Sequence, residues 1–412
     1  MDLLRQCVVL LVLLRLAARL ALEALNRKEA RRNAKRRPDA LAAVMDDATY
    51  AKSVQYTLAK SRFASVEAVW DAAILLALAF SGALPWLWAM FDRLAPGAAW
   101  SGAGFLVVAM ILLGLMSLPL EWWLRFRLEG RFGFNNSTLC LWVVDHLKYA
   151  LLGLAIGFPI MWVVLALANW VGPSWWVWGF AVLFGFQMLM MVLYPKLILP
   201  LFNKLSPLPD GDLRTRLLEL SERTGFRAET IETMDGSRRS GHSNAFFTGF
   251  GRFRRVVLFD TLMAQLAPEE VEAVLAHEIG HYRRGHVPKF LALTALLQFA
   301  AFAAVAWLAR TPWFNAAFGL PEGLLAPAFL LVVLLGGLVT FWFAPMANWL
   351  SRRNEFEADA FARGAVGSSA PMIGALRKLS QKNLSNLTPH PFYSLVLYSH
   401  PTLVERERAL QR

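Results

Sequence analysis

The chain has 412 residues and a formal net charge of +12, with 57% hydrophobic and only 17% charged residues. A typical soluble domain has about 25% charged residues, so this composition excludes an ordinary soluble globular protein. The two cysteines, Cys7 and Cys140, exclude a disulfide framework and do not have the spacing of metal ligands.

Apolar runs of about 20 residues recur along the chain, and each is long enough to cross the hydrocarbon core of a bilayer. The first run is interpreted as an uncleaved helix, because its apolar pattern continues past Arg15 and Arg19 without a clear cleavage site. We therefore predict a mainly α-helical, polytopic membrane protein with seven spans, near residues 6–25, 68–91, 102–123, 149–169, 175–200, 289–309 and 324–348.

Positive charge alternates between successive connections. Residues 26–67 hold ten Lys or Arg, whereas residues 92–101 hold only Arg93. By the positive-inside rule this alternation predicts an external N-terminus and a cytoplasmic C-terminus. The net charge is thus explained by topology, and no nucleic-acid partner is expected. The segments predicted on the cytoplasmic side are 26–67, 124–148, 201–288 and 349–412.

The chain is divided on this basis into four parts. Residues 1–200 are predicted to hold the first five transmembrane helices, with basic cytoplasmic loops at 26–67 and 124–148. Residues 201–288 form a small cytoplasmic α+β insertion. Residues 289–350 hold the last two spans, and residues 351–412 form a cytoplasmic C-terminal segment.

The insertion combines helical and β-type patterns. Residues 211–225 are amphipathic and predict a helix, and residues 228–234 predict a short strand. Two β-prone stretches, Asn244–Thr248 and Val256–Phe259, flank a Gly- and Arg-rich turn and predict a hairpin. A protease can bind substrate as an added strand, so Asn244, Ala245 and Phe246 are candidates for a substrate-binding edge. An ordinary hairpin packed on the following helix is an equal alternative.

The strongest motif is His277-Glu278-Ile279-Gly280-His281, within a window near residues 268–283 that predicts a helix. Histidines four residues apart lie on one helix face, so both can bind one metal ion. Glu278 is then free to accept a proton from a water molecule, as in the metalloproteases that carry this motif. The motif predicts one Zn²⁺ ion per chain, with Glu278 as the catalytic base.

A third ligand must lie on the same side of the membrane. Glu355 is the best candidate, because it follows the last span and shares a helix face with Asp359. One of these carboxylates would bind zinc while the other, taken as Asp359, orients a ligand histidine. His286 lies off the face of His277 and His281, so we place it beside the ligands and not among them.

Two residues near the C-terminus are further candidates. His400 could stabilise the oxyanion of a tetrahedral intermediate. Arg406 could hold a peptide carboxylate through paired hydrogen bonds. From spacing alone this signal is weak, and an ordinary surface tail explains both residues somewhat better.

The stretches His277–His281, Glu355–Asp359 and Ser399-His400-Pro401 together resemble the integral-membrane zinc CAAX prenyl proteases of type I. The resemblance extends over nearly the whole chain and includes Ser243-Asn244-Ala245. It implies seven helices around a water-filled polar chamber that the zinc site faces. It also implies roles for individual residues: zinc ligands at His277, His281 and Glu355, the base at Glu278, and substrate contacts at Asn244, His400 and Arg406.

The expected activity is zinc-dependent peptide hydrolysis, resembling removal of the C-terminal tripeptide from prenylated proteins. A quality-control protease that cuts unprenylated membrane proteins is the main alternative. A transporter or lipid receptor with a structural zinc is more remote. The Ala- and Arg-rich composition favours a bacterial inner membrane, with the active site on the cytoplasmic side and the lipid bilayer as a partner.

Overall fold

The computed structural model describes residues 2–34, 37–38, 41–226, 230–248 and 254–412. The described residues are mainly helical, as predicted. In the first half the helices are α1 (Asp2–Ala34), α2 (Asp47–Phe80), α3 (Ala83–Leu94), α4 (Ala99–Trp122), α5 (Gly130–Phe132), α6 (Leu139–Leu152), α7 (Phe158–Val171), α8 (Trp175–Leu193) and α9 (Leu199–Phe202). Wider π-helical turns at Trp123–Glu129, Gly153–Gly157 and Tyr194–Ile198 join several of these helices into longer ones.

The second half contains all four described strands as well as helices. The strands are β1 (Leu205–Pro207), β2 (Thr230–Met234), β3 (Ala245–Thr248) and β4 (Arg255–Phe259). The helices are α10 (Asp212–Arg223), α11 (Asp260–Gln265), α12 (Pro268–Arg283), α13 (His286–Ala309), α14 (Pro312–Ala316), α15 (Leu325–Thr340), α16 (Ala344–Val366), α17 (Ala370–Lys382), α18 (Pro391–Leu397) and α19 (Leu403–Gln411).

Five helical segments within the described residues are long and apolar enough to cross a membrane: Asp47–Phe80, Ala99–Phe132, Leu139–Phe202, His286–Ala309 and Leu325–Val366. The third segment contains α7 and α8, which pack against each other across a short turn and correspond to two of the predicted spans. The chain is therefore a multi-pass membrane protein. The count of seven spans and the enclosed chamber stay predictions.

The predicted loop at 26–67 is largely helical in the part of it that the structure describes, whereas the span boundaries stay predictions. Helix α1 continues to Ala34 and α2 already begins at Asp47. The predicted span 68–91 is broken at Gly82, whose φ of 81° starts a new helix, α3. Polar contacts between α1 and α2 explain the extension, since Arg27 donates to the backbone oxygen of Ser61 at 3.0 Å and to Ser65 Oγ at 2.7 Å.

The four strands form one sheet in the order β1-β2-β4-β3. The predicted hairpin is confirmed, since β3 pairs antiparallel to β4, with Ala245 opposite Leu258. The turn residues 249–253 lie outside the described part of the chain. Two features were not predicted: β2 runs parallel to β4, and β1 adds an antiparallel strand beyond β2. This order leaves β3 at an edge of the sheet.

The core of the insertion holds α12 against the sheet and against α16. It is built from buried apolar side chains of α10, β4 and α12, including Leu217, Leu220, Val256, Leu258, Leu275 and Ile279. On the other side, α12 packs closely along α16. Gly280 allows this approach, because a Cβ added there would lie only 3.0 Å from both the Cα and the carbonyl oxygen of Ala358.

A buried ion pair connects the insertion to the membrane helices. Arg239 donates to both carboxylate oxygens of Asp145 on α6, at 2.9 and 3.0 Å. It also donates to Asn203 Oδ1 at 3.1 Å. Because a paired guanidinium and carboxylate are costly to separate when buried, these contacts fix the insertion against α6.

Substitution of Gly280 by alanine should destabilise the protein. The new methyl group would press on backbone atoms of α16, at a steric cost of roughly 1–3 kcal/mol. That cost should exceed the gain of about 1 kcal/mol in helix propensity. The melting temperature of Gly280→Ala, followed by tryptophan fluorescence in detergent, should therefore fall below that of the unsubstituted protein.

Gly364→Ala is the matched control, because Gly364 is exposed on α16 and an added Cβ would have no neighbour within 4 Å. This variant should be as stable as the parent protein or more stable. A Gly280→Ala protein that melts at or above the parent temperature would contradict the close contact of α12 and α16.

Candidate metal centre

Helices α12 and α16 bring His277, His281 and Glu355 together. The two Nε2 atoms are 3.2 Å apart. Glu355 Oε2 lies 3.4 Å from His277 Nε2, and Glu355 Oε1 lies 3.2 Å from His281 Nε2. One donor atom from each residue lies within 4.8 Å of the others. His277 and Glu355 are buried, whereas the His281 side chain is 24% exposed.

The partners of His277 define which of its ring nitrogens faces the centre. Its Nδ1 lies 2.8 Å from Asp359 Oδ1, and a carboxylate can only accept a hydrogen bond. A proton on Nδ1 satisfies this contact, and Nε2 then directs a lone pair toward the centre. Asp359 is held in turn by Arg406, which donates to its two oxygens at 2.8 and 2.6 Å.

His281 is oriented by a similar chain of contacts. Its Nδ1 lies 3.0 Å from His286 Nδ1, and His286 Nε2 lies 3.2 Å from Glu357 Oε2. Because His286 donates to the carboxylate, its Nδ1 accepts the proton of His281. The Nε2 atom of His281 then also carries a lone pair. The structure thus puts His286 beside the ligands, although α12 ends at Arg283 and the helix-face argument does not apply to it.

This arrangement fits a divalent transition-metal cation. Two imidazole nitrogens and one carboxylate oxygen lie within 4.8 Å of one another, so a cation between them would be stabilised by all three. Glu355 Oε2 is buried and has no hydrogen-bond partner among the described residues. Imidazole nitrogens and a carboxylate oxygen are the donor types that such cations prefer.

Glu278 lies on α12 next to the first of these histidines. Burial raises the pKa of the Glu278 carboxyl above its ordinary value of 4.5, while the charges of His277 and His281 act in the opposite direction. A carboxylate with a raised pKa is a stronger base than an ordinary surface glutamate. Its environment therefore suits the acceptance of a proton from water.

His400 lies beside the centre and faces open space. Its Nε2 atom is 3.5 Å from Glu355 Oε1, and 65% of its side chain is exposed. The Ser399 hydroxyl contacts its Nδ1 at 2.9 Å. His400 and Arg406 line one end of a cavity of about 760 Å³.

The substrate contact of Arg406 stays a prediction, and in this structure its guanidinium is paired with a carboxylate. The paired donors that were expected to hold a substrate carboxylate are directed at Asp359, and Nη1 lies 3.6 Å from Glu355 Oε2. Burial acts to lower the pKa of Arg406, but its hydrogen bonds and charge interaction with Asp359 outweigh burial and leave the pKa raised. The side chain therefore supports the ligand set in this structure and does not present a free pair of donors.

The predicted substrate-binding edge belongs to a strand that contacts the helix of the two histidines. Strand β3 is at the edge of the sheet and approaches α12. Asn244, just before β3, is exposed, and its carbonyl accepts a hydrogen bond from the backbone of Phe259 at 3.1 Å. Ala245 packs into the core of the insertion, whereas Phe246 contacts Phe259 on the opposite face of the sheet.

Several cavity residues had not been predicted. His242 Nδ1 lies 3.1 Å from Asn383 Oδ1, and its Nε2 lies 3.4 Å from Glu129 Oε2. Glu129 also accepts a hydrogen bond from the Tyr56 hydroxyl at 2.7 Å. Residues from four distant parts of the chain meet here, so no local spacing could have indicated the group. The presence of His242 close to Asn244 was the one available signal.

The two carboxylates of α16, Glu355 and Asp359, should contribute to metal affinity by different amounts. Glu355→Gln removes a ligand and should leave the purified protein with less than one bound metal ion per chain. Asp359→Asn keeps all three ligands but loses the orienting carboxylate, so its metal affinity should fall by about 10–100-fold. The measurement is metal analysis after dialysis against a graded chelator.

Glu219→Gln, at an exposed position on α10, is the matched control and should bind metal like the parent protein. Full metal occupancy in Glu355→Gln at every chelator concentration would show that this carboxylate is not a ligand.

Comparison with known proteins agrees with this geometry. Residues 26–204 match the family described as "CAAX prenyl protease N-terminal, five membrane helices", and residues 207–412 match peptidase family M48. The chain is 34% identical to CAAX prenyl protease 1 homolog of Arabidopsis thaliana over 385 residues, which cover 90% of each chain. It is also 34% identical to CAAX prenyl protease 1 of Saccharomyces cerevisiae, over 90% of this chain and 88% of that protein.

The solved structures include a similar fold. The crystal structure of S. mikatae Ste24p superposes with a TM-score of 0.88 at 33% sequence identity, covering 98% of each chain. The match therefore includes both the membrane helices and the insertion that carries the metal centre. The chain belongs to peptidase family M48, in its CAAX prenyl protease group, and is a membrane metalloendopeptidase.

Proposed function

We propose that the protein is a zinc endopeptidase that removes the C-terminal tripeptide from proteins prenylated on a cysteine. The observation that carries the hydrolytic part of this proposal is the set of three candidate ligands beside an open cavity, and the prenylated substrate is supported by the relatives named CAAX prenyl protease 1. A structural zinc is closed by four protein ligands, whereas a catalytic zinc keeps a position for water. The open ligand set therefore favours catalysis over a receptor or transporter with a structural metal.

The chemistry follows from the residues around the centre. A zinc ion held by His277, His281 and Glu355 would supply Lewis-acid polarisation of the scissile carbonyl and of a water molecule. Glu278 accepts the proton of the attacking water and delivers it to the leaving amine. His400 donates a hydrogen bond to the developing oxyanion. Asp359 and His286 keep the ligand imidazoles oriented throughout.

Strand β3 supplies a way to bind the substrate backbone. Its outer edge has no partner strand among the described residues, so an extended peptide can add to the sheet beside Asn244, Ala245 and Phe246. Backbone pairing makes few demands on side chains. Specificity must then come from the prenyl group and from the C-terminal end of the peptide.

The location of the reaction follows from the charge distribution. The basic segments before and after the spans favour a cytoplasmic position for the insertion and for the C-terminal helices. The lipid bilayer surrounds the membrane helices. The relatives described above are eukaryotic, so the bacterial inner membrane stays a prediction from composition alone.

The direct test is cleavage of a farnesylated peptide that ends in a CAAX sequence. The purified protein should release the C-terminal tripeptide, and a zinc chelator should stop the reaction. An unprenylated peptide of the same sequence should be cut at least tenfold more slowly. Equal cleavage of the two peptides and of an unfolded membrane protein would favour a quality-control protease instead.

Glu278→Gln shows whether the reaction uses the proposed base. This variant should retain bound zinc while kcat falls by about 10²–10⁴-fold. Glu269→Gln, exposed at the start of the same helix, should keep both zinc and activity. Full activity of Glu278→Gln would refute the proposed mechanism.

A further inference from the structure

The cavity beside the metal centre has four basic side chains in its lining, His400, Arg406, His242 and Lys60. Arg406 is paired with Asp359, His400 lies beside Glu355 and His242 lies beside Glu129. The lining of the cavity, within the described residues, includes these four basic residues and no aspartate or glutamate. Lys60 is the one of these four groups for which the described residues offer no carboxylate within ion-pair distance, so it can attract an anion into the cavity.

The sheet predicts which end of a bound peptide enters this cavity. A peptide that pairs antiparallel to β3 runs opposite to the direction Ala245→Thr248. Its C-terminal part then lies near the residues that precede β3, namely Asn244 and His242. His242 is itself part of the cavity lining. The C-terminal side of an antiparallel substrate is therefore directed into the basic cavity.

Lys60 is the group best placed to bind a carboxylate there. It is exposed on α2, and its ammonium lies 5.2 Å from the centre of the Tyr56 ring. No carboxylate of the described residues lies within ion-pair distance of it. The nearby Glu129 is engaged by Tyr56 and His242 and does not line the cavity. Lys60 can thus form a charge-assisted hydrogen bond with an incoming anion.

We propose that this cavity binds the free α-carboxylate of the substrate, with Lys60 as the main contact and His242 and Asn383 beside it. The inference rests on the proposed function and deepens it. If the C-terminal carboxylate is held at a fixed distance from the metal centre, that distance selects which peptide bond reaches Glu278. Lys60 would then be a positioning residue that makes the enzyme cut near a free C-terminus.

The test measures binding of the leaving tripeptide by calorimetry, with its N-terminus acetylated and its C-terminus either a free acid or an amide. The zinc-loaded protein should bind the acid about tenfold or more tightly than the amide, as one charge-assisted hydrogen bond implies. Lys60→Met should remove this preference while leaving amide binding unchanged, and Lys60→Arg should restore it. Lys52→Met, exposed on the same helix but outside the cavity, should behave like the parent protein.

Equal affinity for the acid and the amide in the parent protein would overturn the proposal. A preference that survives in Lys60→Met would overturn it as well. Because this measurement does not depend on turnover, it separates the two hypotheses. Carboxylate-selective binding by a protein that cleaves no CAAX peptide would refute the proposed function and leave the carboxylate site standing.

Discussion

The close packing of α12 on α16 is the contact on which the rest of the site depends. Helix α12 supplies two imidazoles and α16 supplies the carboxylate, so neither helix can hold a metal ion by itself. The axes can approach because Gly280, between the two histidines, lies against the backbone of Ala358. The same approach puts Asp359 within hydrogen-bond distance of His277, so one helix contact fixes both a ligand and its orientation.

The C-terminal helices complete this arrangement from a third direction. Arg406 on α19 neutralises Asp359, which would otherwise be a buried carboxylate with only an imidazole as partner. The segment just before α19 places His400 at the mouth of the cavity. The same short C-terminal stretch therefore neutralises Asp359 at the metal centre and lines the cavity that a substrate would enter. This explains why the site requires residues from the end of the chain.

Local patterns predicted those features that local interactions determine. The spacing of His277 and His281 indicated the candidate metal site, and the i, i+4 relation of Glu355 and Asp359 indicated that both carboxylates lie on one face of their helix. Features set by distant contacts were missed. Arg27 on α1 bonds to Ser61 on α2 in a region predicted as a loop, and the fold directs Arg406 at Asp359. The hydrophobic periodicity of a sequence does not show which side chains from distant parts of the chain will contact each other.

X-ray absorption at the zinc edge tests the central claim most directly. The protein loaded with one zinc ion should show two imidazole nitrogens and additional oxygen ligands from Glu355 and water, with no sulfur in the coordination shell. The spectrum of Glu355→Gln should show the imidazole contribution from those protein molecules that still bind zinc. A spectrum showing four protein ligands, or a shell without two imidazoles, would contradict a catalytic centre built from α12 and α16.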